Sequence, residues 1–275
     1  MVSDKTEKEL AFLYDLYVAT DWGERFAGLV DEHVKLPERG RALYVAAGTG
    51  GHALALKERG EEGFTLVGVD ESEERVEIAR AKAAAINAIG RVDFHSAQLE
   101  SLAFEADQFG LVIGNASLVA PERLPEILAE MVRVTASGGT IALSVITASS
   151  FGEFFSIYWE ALINAELMEQ GGIVETIINE LPIVSDVENL AKREALDEVQ
   201  SWMRVEEFNF ASGEEFLSAP LVRDFLSQRW LEPLPDEAAR VNVLREVERI
   251  VDEERQGGDF TLSIKATLIV GRKTE

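Results

Sequence analysis

The chain has 275 residues, 47% hydrophobic, 28% charged and 8% aromatic, an ordinary globular balance with enough length for a substantial core. It has no cysteine, which excludes disulfides, thiolate metal sites and thiol nucleophiles; its three histidines are far apart in sequence, so no metal is expected. With 50 acids against 26 bases the formal net charge is −24, a surface that repels phosphate backbones and anionic lipid, so neither nucleic acid nor membrane is an expected partner.

The start, MVSDKTEKELAF, is polar and charged, unlike a secretory leader, and the longest apolar run is too short to cross a bilayer; a cytoplasmic protein is expected. Helix is predicted over the first 36 residues. EKELAFLYDLY puts Leu10, Leu13, Tyr14 and Tyr17 on one face, and after Thr20 the pattern resumes with Trp22, Phe26 and Val30. Pro37 and Gly40 break it. Strands and helices then alternate: strand 42–47, helix 52–58, strand 65–70, helix 73–89 capped by Ser72, strand 92–95, strand 111–115, helix 121–135 and strand 140–147. That alternation implies a parallel, doubly wound α/β sheet with helices on both faces.

The pattern changes after Thr147. Ser150 and Glu153 have the spacing of a capping box for a helix to about Met168, Ser185 and Glu188 repeat it for a helix through Ala195, and Ser212 and Glu215 make a third before helix to roughly Arg255. VQSWMRVEEFNF and DFTLSIKATLIVGRK alternate apolar and polar residues like half-buried strands. The expected organisation is one domain: an N-terminal helical segment 1–41, an α/β core 42–147, a helical insertion 148–198, and a final strand pair 199–275 carrying a second helical insertion 211–258.

Gly48, Gly50 and Gly51 sit where the first strand hands over to a helix, a turn that lets backbone approach a ligand closely beside the free N–H groups of a helix start. GTGGHA fits the dinucleotide pattern, and Asp70 at the end of the next strand can accept both hydroxyls of an adenosine ribose. Taken alone, these residues suit a nicotinamide dinucleotide or S-adenosylmethionine equally.

Four stretches, two of them containing the glycine turn and Asp70, resemble the ordered motifs of class I S-adenosylmethionine-dependent methyltransferases, in the small-molecule, methyltransferase type 11-like group. LYVAAGTGGHAL is similar to their first motif, LVGVDESEERVEIARAKA to the second, VDFHSAQLESLAFEADQFGLVIGNASL to the third and fourth, and ILAEMVRVTASGGTIALS to the fifth. The resemblance covers residues 42–147 in order, and the two late strands match the antiparallel final hairpin of that fold. It implies a Rossmann-like, seven-stranded sheet with an antiparallel last strand plus helical additions, and S-adenosyl-L-methionine as cofactor. By this resemblance Ala46, Gly48 and Gly50 line the cofactor, Asp70 binds its ribose, Glu71 lies beside the ribose and adenine, Gln98 accepts from the adenine amino group, Leu99 packs on the ring and Asn115 closes the pocket. The chain departs from the family twice. Tyr44 stands where a carboxylate usually helps hold the methionyl ammonium, and Ala46 replaces a glycine, which suits a negative φ.

Methyl transfer from a sulfonium is an in-line displacement that needs alignment and exclusion of water, and a base only if the nucleophile arrives protonated. No catalytic residue is singled out: His52 follows the glycines, His95 lies beside the adenine loop, and His33 ends an amphipathic helix. In SSFGEFFSIYWEALINAEL, the aromatic face makes Phe155, Tyr158 and Trp159 candidates for a flat or apolar acceptor, with Glu153 and Glu160 as polar contacts; simple core packing is the competing reading. Tyr14 and Trp22 either cover the cofactor or pack. The expected function is methyl transfer to a small organic acceptor by a monomer or homodimer. A non-catalytic S-adenosylmethionine-binding protein and an NAD(P)-dependent oxidoreductase are the alternatives.

Overall fold

The computed structural model describes residues 5–88, 90–255 and 258–274, without the side chains of residues 173, 254 and 255. Ile89, the expected end of one helix, therefore lies outside the described residues, as do residues 1–4, 256–257 and 275 of the expected segments.

Helix α1 (Glu7–Leu13) begins at Thr6, whose hydroxyl accepts the Glu9 amide while the Glu9 carboxylate accepts the Thr6 amide. The expected pause at Thr20 does not occur. A π-helical stretch, Tyr14–Gly23, runs straight into α2 (Glu24–His33), because no proline intervenes and Gly23 keeps a helical φ of −59°.

The alternating region follows as β1 (Arg39–Val45), α3 (Gly51–Arg59), β2 (Gly63–Asp70), α4 (Glu73–Ala85), β3 (Val92–Ser96), β4 (Phe109–Asn115), α5 (Leu124–Val134) and β5 (Thr135–Ile146). Ser72 caps α4 by accepting the Arg75 amide, as expected. The rest of the chain forms α6 (Gly152–Asn164), α7 (Gly171–Glu180), α8 (Val184–Arg193), β6 (Leu196–Phe210), α9 (Gly213–Ser218), α10 (Ser227–Leu231), α11 (Glu237–Arg255) and β7 (Phe260–Lys273).

The seven strands form one sheet in the order β3-β2-β1-β4-β5-β7-β6. The first five are parallel: Ala42 of β1 pairs with Leu66 of β2 on one side and Leu111 of β4 on the other. Strand β7 runs the opposite way, since Gly138 bonds Arg272 and Thr147 bonds Lys265, rising numbers against falling ones. The doubly wound mixed sheet and its antiparallel last strand thus match the sequence reading.

None of the three expected capping boxes forms in full. Ser150 donates to the Thr147 carbonyl and accepts the Lys265 amide, and Glu153 accepts both the amide and hydroxyl of Ser263, so these residues tie the start of α6 to β7. Phe151, at φ +61°, sits before the helix instead. Glu188 accepts from Ser201 of β6, and α8 starts without a side-chain cap. Only Ser212 caps its helix, accepting the Glu215 amide, while Glu215 reaches back to the Ala211 amide. A serine and a glutamate three apart satisfy whichever backbone donors packing brings nearest.

The chain divides into two compact units. The sheet unit holds, among the described residues, those of 5–145, 183–203 and 266–274, and its core joins Leu43, Val67, Val69 and Val112 to Ile127 and Met131 of α5. Each such side chain contributes roughly 1.5–3 kcal/mol on full burial. The second unit holds residues 146–182 and 204–265 among those described, and its interior is aromatic: Phe154 stacks on Trp230 at 4.1 Å and on Tyr158 at 5.4 Å, and Phe216 meets Phe260 edge-on at 4.7 Å.

Candidate active site

In the sheet unit β1 runs into a turn whose backbone enters the left-handed region three times, at Ala46 (φ +55°), Gly48 (φ +57°) and Gly50 (φ +78°). The condition under which alanine replaces the glycine without strain, a negative φ, is not met at Ala46: alanine stands here in a conformation that costs it about 1–2 kcal/mol relative to an unstrained one. The two glycines have separate reasons. A Cβ on Gly48 would lie 2.7 Å from the Tyr14 ring, so glycine lets the N-terminal helix close over the turn. A Cβ on Gly50 would meet Phe94 at 2.7 Å and Ala79 at 2.8 Å, so glycine there lets α3 settle against β3 and α4.

Asp70, at the end of β2 and 3% exposed, accepts the Gly48 amide on Oδ2 at 2.8 Å and the Ser72 amide on Oδ1 at 3.1 Å, and it pairs with Arg75 at 3.1 Å. The Arg75 guanidinium in turn lies 4.9 Å from the centre of the Tyr14 ring. Loss of solvent around the Tyr14 phenol pushes it up to about 12, with Asp70 adding to the shift and Arg75 opposing it.

Two cavities flank this turn. The smaller, ≈ 90 Å³, is lined by Asp70, Glu71, Arg75, Leu99 and Arg123, among others. Arg123 donates to Glu71 at 2.6 and 3.1 Å and to Glu100 at 2.5 and 2.9 Å. Those bonds raise the guanidinium further above its usual range, and the bond from Arg123 holds the Glu100 carboxyl below its own. The larger cavity, ≈ 400 Å³, lies between the N-terminal helical stretch and the turn. Small residues Ala19, Gly23, Ala27 and Gly28 leave its volume open, and Asp15, Glu24, Asp31, Tyr44, His52 and Lys82 give it polarity. Asp15 accepts from Thr49 at 2.5 Å and from Lys82. Asp31 accepts from His52 at 2.9 Å and Arg59 at 2.6 Å. Tyr14, Ala46 and Asn115 line both cavities.

Of the residues singled out from sequence, Ala46, Asp70, Glu71, Leu99 and Asn115 thus come together around the smaller cavity. Gly48 and Gly50 face Tyr14 and Phe94 beneath the turn. Gln98 is exposed, and its backbone carbonyl accepts the Ser101 amide. Trp22 is buried, donates to Ser117 at 2.9 Å and packs on Phe26, which fixes the N-terminal helices to the β4 end. His33 stacks on Trp202 at 4.2 Å, and His95 is exposed.

The proposed acceptor residues belong to the second unit. Phe155 and Tyr158 lie in its interior at 4% and 0% exposure, with the Tyr158 hydroxyl donating to the Trp230 carbonyl at 2.8 Å. Trp159 is 41% exposed and covers Gly171. Glu160 is exposed.

Sequence reasoning passed over Asp15, Asp31, Thr49, Arg75, Lys82 and Arg123. A signal did exist for the first two: Asp15, Ala19, Gly23, Ala27 and Asp31 recur every four residues, a stripe of small side chains between acids that leaves space beside a helix.

Residues 42–139 match the family described as "Methyltransferase domain". The ubiquinone/menaquinone biosynthesis C-methyltransferase UbiE of Geotalea daltonii is 30% identical over 125 residues, 46% of this chain and 53% of that protein. The chain spans about half the length of the curated relatives it matches. Among solved structures, the YcgJ protein of Bacillus subtilis superposes with a TM-score of 0.60 at 17% identity, covering 92% of this chain and 99% of that one. Phosphoethanolamine N-methyltransferase 2 of Haemonchus contortus, solved with phosphomonomethylethanolamine and S-adenosylhomocysteine, gives 0.57 at 15% identity, over 99% of this chain and 59% of that one. At those identities the likeness is one of fold. Among the described residues no helix is long and apolar enough to cross a membrane, and no cluster of metal-ligating side chains is found. Strand order, glycine turn, terminal acid of β2 and the match over residues 42–139 point the same way: that stretch is similar to methyltransferase domains and lies in a Rossmann-like fold that methyltransferases share.

Proposed function

We propose that this protein transfers a methyl group from S-adenosylmethionine to a small organic acceptor. The observation that carries the reading is the buried Asp70 carboxylate in the wall of the smaller of two adjoining cavities. An ionised carboxylate offers about four acceptor sites. Gly48, Ser72 and Arg75 take three, so one ribose hydroxyl fits as the side chains stand and a second fits when Arg75 turns away. The smaller cavity is too tight for adenine and ribose until Arg123 also swings from Glu71, so the residues suit the cofactor with movement of two surface arginines.

When bound, the cofactor supplies an electrophilic methyl group on a sulfonium. The chain's own part is to hold and enclose. Asp70 orients the ribose, Leu99 offers an apolar face to the base, and Asn115, whose amide oxygen accepts the Ser117 amide, aims at the junction of the cavities. Tyr14 covers the turn and keeps water from it. Within the second unit, Trp159 is the aromatic of α6 exposed to a flat acceptor, with Phe155 and Tyr158 holding its helix. The charge of −24 supports a cytoplasmic monomer or homodimer that leaves nucleic acid alone.

Calorimetry with S-adenosylhomocysteine tests the reading. The wild type should bind it, and Asp70→Asn should weaken it by about 1.5–3 kcal/mol with the fold intact by melting temperature. Absence of binding, or binding of a nicotinamide dinucleotide in its place, overturns the proposal. Cofactor binding without turnover on broad acceptor panels would favour the non-catalytic alternative.

A further inference from the structure

The larger cavity contains a chain of hydrogen bonds whose direction is determined. Asp31 accepts from Arg59 at 2.6 Å and from His52 Nε2 at 2.9 Å. Burial alone would raise its carboxyl, but the bonds from His52 and Arg59 outweigh that and hold it below the usual range, so it is an acceptor only. An imidazole proton therefore sits on Nε2, and with the ring in its single-proton form Nδ1 presents a lone pair. Nδ1 lies 2.9 Å from the Tyr44 hydroxyl. Tyr44 is 3% exposed, and burial drives its phenol well above the ordinary range, so it keeps its proton and donates it to His52. The phenol oxygen is left with lone pairs only, a site that reads a donor or a cation.

Tyr44 and Ala46 are two residues apart, both line this cavity, and Ala46 also lines the smaller one beside Asp70. A ligand whose adenosine is held by Asp70 and passes Ala46 brings whatever follows its sulfur towards Tyr44. We infer that the Tyr44–His52–Asp31 chain holds the α-ammonium of the cofactor's amino-acid tail, with the Tyr44 oxygen as the contact and Asp31 as the negative charge behind it. This rests on the cofactor reading above. It explains how a neutral phenol serves where a countercharge is needed: the charge stands two hydrogen bonds away and fixes the phenol's direction. The tail's carboxylate is excluded from the same place, since it would face lone pairs with Asp31 behind them.

The test compares two ligands: S-adenosylhomocysteine, which carries the tail, and 5′-methylthioadenosine, which lacks it. Tyr44→Phe should weaken S-adenosylhomocysteine about ten-fold or more, the range for a hydrogen bond to a charged group, and leave methylthioadenosine within about two-fold. Asp31→Asn tests the charge. Arg59 and His52 both bond Oδ1, so the amide oxygen takes that place, the direction of the chain is kept and only the negative charge is lost; S-adenosylhomocysteine should weaken several-fold, again with methylthioadenosine spared. Unchanged S-adenosylhomocysteine affinity in both variants overturns the inference, as does equal weakening of the two ligands. If the wild type binds neither ligand, the cofactor reading itself falls, an outcome distinct from both.

Discussion

The two units use their side chains in opposite ways. Around the glycine turn, polar groups from distant parts of the chain bond one another at the walls of an open cavity: Asp31 with His52 and Arg59, Asp15 with Thr49 and Lys82. In the second unit, the aromatic residues that suggest a ligand surface are satisfied by each other, Phe154 between Tyr158 and Trp230. The difference teaches that large side chains close space and small ones leave it. The cavity lies beside Ala19, Gly23, Ala27 and Gly28, whereas the ring-rich helix α6 is mostly interior.

That contrast has measurable edges. The largest effect should come from Phe154→Ala, which removes a ring from a packed interior and should cost about 3–5 kcal/mol in denaturant unfolding. Trp159→Ala, at a half-open position, should cost roughly 1 kcal/mol or less. Equal costs would erase the distinction between packed and available rings.

Gly48→Ala comes next. A positive φ and the Tyr14 ring together should destabilise by about 2–4 kcal/mol. The double variant with Tyr14→Ala should recover the steric part and keep the backbone part; no recovery would mean Tyr14 does not close the turn.

A smaller effect distinguishes the units by pH. Glu130 accepts from the Leu102 amide and from Arg133, and chiefly the Arg133 bond holds its carboxyl below the ordinary glutamate range. A depressed carboxyl stabilises the fold above its unfolded value and loses that stabilisation as pH falls through the folded value. Glu130→Gln should therefore cost about 1 kcal/mol at neutral pH and progressively less below 4.5. Tyr158→Phe, which removes a neutral bond to Trp230, should cost a similar amount at every acidic pH. The smallest effect is Ala46→Gly, where relief of the left-handed strain slightly exceeds the added chain entropy and stability should rise by about 0.5 kcal/mol.

Much of the fold and part of the site can be read from the amino-acid order. Runs such as LVGVD and LVIGN could only be strands buried on both faces, and helices between them forced parallel pairing. Asp70 stood out because it ends a strand and so lies at the sheet's rim, while Glu71 and Leu99, which line the same cavity, were pointed to by the family resemblance alone. The capping boxes were misread because Ser150 and Glu188 had nearer partners on other strands.

The order of residues by itself determined the elements, the parallel pairing of the core strands and the acid beside the glycine turn, since each depends on periodicity or on neighbours a few positions apart, while the reversed final strand was implied by the family resemblance. Only the tertiary structure decided that Tyr44, His52 and Asp31 form one chain, that Arg123 bridges Glu71 and Glu100, and that Tyr158 is interior. Those contacts join residues remote in sequence, and which polar groups meet is set by how the elements pack, a property no local pattern carries.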